Sequence, residues 1–241
     1  MSTRGATVEG MRFRDRAVYL DRADALVLAD THLGRDESSN VQLRLGEDGD
    51  IVERVAALLD RYEPETLVVG GDLLHSFSSV PTGVRESLRD LREATREAGA
   101  RMVVTPGNHD TMLAELWDGP TEDRVRFLDG DRETVVCHGH EPPAADDADL
   151  YVVGHDHPTI EIEGQRRACY LYGPDSYRGA DVLMLPSFTR LAAGVAVNEM
   201  RTADFQSPLV TKVALLQPLV RDEAADETLT FPPLGRFREL L

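Results

Sequence analysis

A chain of 241 residues, 41% of them hydrophobic, is long enough to bury a sizeable core and too apolar to be disordered. Two cysteines exclude a disulfide framework, and no apolar run approaches the roughly 20 residues of a spanning helix, so no membrane contact is expected. Asp and Glu outnumber Lys and Arg 43 to 26, for a formal charge of −17; such an acidic surface, with Lys212 its one lysine, resembles halophilic proteins from salt-accumulating cytoplasms.

The opening MSTRGATVEGMRFRDR has basic residues but no apolar stretch behind them, which reads as a cytoplasmic chain without a secretory signal. Ala25–Ala29 is then a short apolar run entering Asp30. Ile51–Tyr62 carries Ile51, Val55, Leu58 and Leu59 at helical spacing. Thr66–Val69 is a second β-rich run, entering Gly70-Gly71-Asp72, and Arg101–Thr105 a third, entering Pro106-Gly107-Asn108. Between them Thr82–Ala98 places Val84, Leu88, Leu91 and Thr95 on one helical face, punctuated by Pro81 and Gly99. Its arginines 85, 89, 92 and 96 run beside Glu86, Asp90, Glu93 and Glu97, the pattern of a solvated, salt-bridged face rather than a phosphate-binding one.

After residue 130 the helical signals stop. Thr134–Cys137, Leu150–Val153, Thr159–Ile162, Arg167–Tyr172, Val182–Leu185 and Val195–Val197 read as strands between short Gly, Pro and Asp turns. Cys137 reads as a buried strand cysteine, not a ligand. Arg221–Thr228 is acidic and reads as an exposed loop, with Phe231–Leu241 able to dock back on the body. No linker marks a boundary, so one domain over 1–241 is expected, with a core at about 25–198 and a C-terminal extension at 199–241.

All seven histidines fall inside five short words: DTH at 30–32, GDLLH at 71–75, GNHD at 107–110, HGH at 138–140 and GHDH at 154–157. Each word begins at or just past a predicted strand, where open α/β sheets collect ligands. With Asp30, Asp72 and Asn108 among them, the words offer the mixed nitrogen and oxygen donors that a pair of divalent cations needs. That points to metal-assisted hydrolysis of a phosphate ester. Neither a phosphate-cradling glycine loop nor a serine-hydrolase elbow occurs, and Ser187 after Pro186 reads as a turn residue. The negative net charge does not exclude a polyanionic substrate, since bound dications make a site locally positive.

The ordered words resemble the calcineurin-like binuclear metallophosphoesterases, with the pattern D-x-H, G-D, G-N-H-D/E, H and G-H-x-H. Within them LADTHLGR, GDLLHSF, HGHEPP, VGHDHPTI and LPSFTRLAAGVAVN are most similar to the archaeal and bacterial phosphoesterases related to the SbcD nuclease. The resemblance implies a four-layer α/β/β/α sandwich of two sheets flanked by helices. It implies that Asp30, His32 and His157 hold one metal, that Asn108, His138 and His155 hold the other, and that Asp72 bridges them. Two divalent ions follow, with Mn expected and Fe, Zn or Ni as alternatives. His109 would protonate or stabilise the leaving oxygen, and Asp110 would orient it. His75 and His140 either meet the substrate, brace a ligand or bond a loop. Arg35 offers a phosphate clamp, because guanidinium matches phosphate geometry.

The activity so implied is that of a metal-dependent phosphodiesterase acting on nucleic acid, single-stranded or structured DNA, in DNA processing or repair. A phosphomonoesterase or protein phosphatase on the same scaffold, or a non-catalytic metal-binding subunit, are the alternatives. Full SbcD nucleases carry a further region that engages DNA and an ATPase partner. Little chain follows residue 198, so a compact endonuclease or small-diester hydrolase is expected over a double-strand-break exonuclease.

Overall fold

The computed structural model describes residues 3–4, 8–35, 47–75, 80–143 and 148–238. In chain order the elements of its first half are β1 (Thr3–Arg4), β2 (Met11–Arg14), β3 (Ala17–Leu20), β4 (Ala25–Leu28), α1 (Glu47–Tyr62), β5 (Thr66–Val69), α2 (Val84–Glu97), β6 (Arg101–Val104) and the single turn α3 (Leu113–Leu116). The second half holds β7 (Val125–Asp129), β8 (Arg132–Val136), β9 (Leu150–Val153), β10 (Pro158–Ile162), β11 (Gln165–Ala168), β12 (Tyr170–Tyr177), β13 (Ala180–Met184), β14 (Val195–Ala196), β15 (Gln217–Asp222), β16 (Glu227–Thr230) and the short α4 (Leu234–Phe237).

Strands β2 to β6 form one five-stranded sheet in sequence order. Its strands β4, β5 and β6 run parallel, in the register Leu26 to Leu67 and Leu67 to Met102. Every residue of β4 is buried, because helices cover one face and a second sheet the other; a strand covered twice reads as a continuous apolar run rather than an alternating one. Helices α1 and α2 lay Ile51, Val55, Leu58, Leu59, Val84, Leu88 and Leu91 against Leu26, Leu28, Leu67 and Val69. The outer face of α2 is the salt-bridged surface the sequence predicts: Arg89 pairs with Glu86 and Asp90, Arg96 with Glu93, and Arg92 with Asp118.

The second sheet has eight strands in the order β1-β16-β15-β12-β13-β9-β8-β7. Val27, Val68 and Val103 of the first sheet pack on Val136, Val152 and Leu183 of the second, forming the inter-sheet core. Behind the second sheet the outer layer consists of the segment 197–216 with its two single helical turns, α4, and a small sheet β11-β10-β14. The fold is thus the expected mixed α/β sandwich, its long helices confined to the side of the first sheet. No helix among the described residues is long and apolar enough to cross a membrane.

Four details differ from the sequence reading. MRFR and AVYL pair as a hairpin around Asp15-Arg16, extending the first sheet before residue 25; alternating Arg12 and Arg14 leave β2 without an apolar run. The segment after 198 is no appendage to the fold: β15 lies between β12 and β16 inside the second sheet. Of the predicted loop 221–228, only residues 223–226 are the turn, because Arg221 pairs with Thr228 and Asp222 with Glu227. The predicted strand Arg167–Tyr172 breaks at Cys169, whose amide bonds the Pro158 carbonyl. There the chain leaves the small sheet for the large one. Leu234 and Phe237 dock in the outer core as expected, while residues 239–241 lie outside the described set.

Candidate metal centre

Five strands deliver the histidine words to one rim. Asp30 and His32 follow β4, Asp72 follows β5, and Asn108, His109 and Asp110 follow β6, all from the first sheet. His138 follows β8, and His155 and His157 follow β9, in the parallel part of the second sheet. The loops after β4 and β5 extend the ladder beyond the strands: Asp30 N bonds Gly71 O, His32 N bonds Asp72 O and Leu33 N bonds Leu73 O, each at 2.9 Å. Residue 71 must be glycine, since it sits at φ +92° and a Cβ there would collide with the His138 ring.

Asp30, His32, Asp72, His155 and His157 all lie in the left-handed region, with φ between +48° and +78°. Non-glycine residues reach it at a cost of roughly 1–2 kcal/mol each, and cluster there at functional sites. Hydrogen bonds hold them in it. Ser187 Oγ donates to Asp30 O at 2.8 Å, and His155 N donates to Asp30 Oδ2 at 3.0 Å. Asp156, buried between two histidines, accepts from Gln206 N and Ser207 N.

The side chains so aimed form two adjoining groups. In one, His157 Nε2 lies 3.3 Å from both His32 Nε2 and Asp30 Oδ1. In the other, His138 Nε2 lies 3.1 Å from Asn108 Oδ1, 3.2 Å from His155 Nδ1 and 3.5 Å from Asp72 Oδ2. Asp72 Oδ2 is also 4.0 Å from His32 Nε2, which places it between the groups. His138 turns Nδ1 toward the Gly70 carbonyl at 3.3 Å, so Nδ1 carries the proton and Nε2 presents its lone pair.

Burial sets the charge states. It pushes His32 down to about 3 and His138 down to about 4, so both rings are neutral. His155 is also lowered, mainly by burial. Burial pulls His157 the same way, but its hydrogen bond and charge interaction with Asp30 leave it raised. Asp72 is raised to about 7 by burial and by Asp30. Asp30 Oδ1 is buried, with the His157 ring nitrogen at 3.3 Å and His138 Nδ1 at 3.7 Å beside it. Lone pairs of His138, His155, Asn108 and Asp72 therefore converge with too few protons to pair them. A cation resolves that, so the residues present fit divalent metal.

The other candidates are placed around this pair. His109 N donates to Asp72 Oδ1 at 2.9 Å, and its ring lies nearly parallel to that of His75, with centroids 5.8 Å apart. Asp110 does not orient the His109 ring. Its carboxylate accepts from Gly107 N at 2.8 Å, Leu74 N at 2.8 Å and Leu73 N at 3.2 Å, and His109 Nδ1 has no partner. Asp110 thus locks the β5 and β6 loops together. Arg35 stands close enough for its charge to bear on His32, His75, His109 and His157. His140 stands 5.1 Å from the His138 ring, lining a cleft of about 500 Å³ with Arg124. Cys137 is buried as expected.

Sequence reading missed the supports. Arg54, 7% exposed, bonds Asp15, Asp50 and the Phe188 carbonyl, and so fixes the loop bearing Ser187. A lone arginine in the polar frame of a helix gives no such signal.

Two sheets whose carboxyl ends meet at a rim of histidines and carboxylates define a metal-dependent phosphoric ester hydrolase. The chain belongs to the calcineurin-like phosphoesterases, whose family model matches residues 24–179. Among solved structures it is similar to the Pseudomonas putida nuclease MPE, at 20% identity over 96% of this chain and 100% of that one, with a TM-score of 0.64. It is also similar to Yfce, a phosphoesterase from E. coli, at 19% identity over 83% of this chain and 88% of that one, with a TM-score of 0.43. The first likeness is one of fold. No curated protein matches the chain.

Proposed function

We propose that the protein is a two-metal phosphodiesterase acting on nucleic acid. Asp30, His32 and His157 hold one cation, Asn108, His138 and His155 the other, and Asp72 bridges them. Bound there, divalent ions supply Lewis acidity and make hydroxide available at neutral pH. Mn²⁺ suits this mix of imidazole, carboxylate and amide oxygen, with Fe, Zn and Ni as alternatives.

The chain's own groups do the rest. Arg35 clamps phosphoryl oxygens as a charge-assisted donor. His109, with the His75 ring alongside it, donates a proton to the leaving oxygen. Asp110 holds the loop that carries both Asn108 and His109.

The observation that carries the diester reading is that the centre opens on two sides. One cleft of about 500 Å³ begins at His138 and His140, and another of about 230 Å³ begins at His157. A diester has a group to place on each side of its phosphorus; a monoester has one. The likeness to a protein described as a nuclease agrees with this.

The test is turnover of single-stranded DNA, an aryl phosphodiester and an aryl phosphomonoester with Mn²⁺ in high salt, with His109→Ala alongside. Diester and DNA cleavage lost in the variant is the expected result. Turnover of the monoester alone would make the protein a phosphomonoesterase. No turnover with any divalent metal would make it a binding subunit.

A further inference from the structure

The smaller cleft is basic. Its lining includes Arg16, Arg166 and Arg190 and, among the described residues, no aspartate or glutamate. Acids outnumber bases 43 to 26 in the chain as a whole. Behind the cleft, Arg190 pairs with Asp50 at 3.1 Å and Asp15 at 3.5 Å, and Arg54 bonds the same two carboxylates. Arg16 donates to the carbonyls of Ser187 and Thr189. Arg166 is exposed on β11, opposite Glu161 in register.

A second observation is independent of charge. Thr159 lines the same cleft at 7% exposure, and its hydroxyl is buried without a hydrogen-bond partner. Every other buried unpartnered side-chain atom among the described residues belongs to Asp30, His32, His75, His109 or His140, all at the metal centre. Buried hydroxyls are nearly always bonded, so an orphan next to a candidate metal ligand points to an absent acceptor. Residue 194 is a glycine whose Cβ would strike Thr159 Cγ2 and His157 O, so the backbone closes tightly beside the hydroxyl without a side chain between.

We propose that this cleft is a phosphate subsite, in which Arg16, Arg166, Arg190 and the Thr159 hydroxyl bind the backbone phosphate next to the scissile one in a polynucleotide strand. The proposal rests on the nucleic-acid reading above and sharpens it. A substrate with one phosphate leaves the subsite empty; a strand fills it, so the cleft selects polymers over small diesters. The arginines supply charge and planar donors, and the hydroxyl fixes the register of one oxygen.

The test compares wild type, Arg166→Gln, Thr159→Val and the double variant, each loaded with Mn²⁺. The substrates are a single-stranded oligothymidylate and an aryl phosphodiester. The ratio of the two kcat/KM values is expected to fall on the order of tenfold in each single variant, through KM rather than kcat. Fluorescence anisotropy of the labelled oligonucleotide across NaCl concentrations separates the contributions. Arg166→Gln is expected to flatten the slope of log Kd against log salt by about 0.7, one phosphate contact on a single strand; Thr159→Val removes no charge and leaves the slope alone. If wild type cleaves the oligonucleotide but neither ratio nor slope moves, the subsite is overturned. Equal losses on both substrates overturn it too. If wild type turns over only a monoester, the parent reading falls instead. Arg166 is exposed, so its variant decides the matter even if Thr159→Val fails to fold.

Discussion

In the hairpins, left-handed residues sit where the chain reverses: Asp15 and Arg16 join β2 to β3, Glu163 and Gly164 join β10 to β11, and Arg178 and Gly179 join β12 to β13. Two consecutive positive φ values make the turn whose twist matches paired strands. At the metal rim Asp30, His32, Asp72, His155 and His157 take the same conformation outside any two-residue hairpin. There it aims donors. The residues of the Glu163-Gly164 and Arg178-Gly179 turns are exposed, whereas Asp30, His32 and Asp72 are buried and held by bonds from other strands. The same backbone strain is a local device in one region and a tertiary one in the other.

The comparison is broken most severely at the residue shared by both donor groups. Asp72→Asn is expected to abolish phosphoesterase activity and to lower bound metal, measured by elemental analysis, while leaving circular dichroism unchanged. His109→Ala is expected to reduce turnover by about 10²–10⁴-fold with metal content retained, which separates proton delivery from metal binding. Ser187→Ala removes the hydroxyl that holds the Asp30 carbonyl; metal affinity by competition titration is expected to fall about 10–100-fold. At a hairpin, Gly164→Ala is expected to cost about 1 kcal/mol in thermal denaturation with metal affinity unmoved. If Ser187→Ala and Gly164→Ala prove alike, the distinction between the two regions is wrong.

The pH dependence of metal stabilisation sharpens the same point. Asp72 is raised from 3.8 to about 7 in the metal-free fold by burial and by Asp30. Its charged form is disfavoured there, so the metal-free protein loses stability at this residue as pH rises from about 4 through 7. A cation needs that charged form. The rise in Tm on adding Mn²⁺ is therefore expected to be larger at pH 8 than at pH 5. A constant rise would mean that Asp72 does not meet the metal.

The histidines and carboxylates that share the rim were legible as a set because a metal site needs particular atoms, and few residues supply them: DTH, GNHD and GHDH carry such atoms together. The parallel strands were legible because double burial leaves unbroken apolar runs such as ALVLA and TLVV. The β2–β3 hairpin was missed although Met11 and Phe13 alternate with Arg12 and Arg14, because half-buried edge strands look polar. Asp110 was misread because a carboxylate beside a histidine in sequence suggests a pair, while three backbone amides from two other loops had the better geometry.

By itself the sequence determined which chemistry the chain can carry, since ligand identity is a property of side chains and survives without coordinates. Tertiary structure alone decided which lone pairs face one another, that Ser187 and Arg54 stand behind Asp30, and that arginines far apart in the chain share a cleft with Thr159. Those are relations between segments up to 174 residues apart, between Arg16 and Arg190. Only the packing of two sheets face to face, with their strand ends at one rim, brings them within reach.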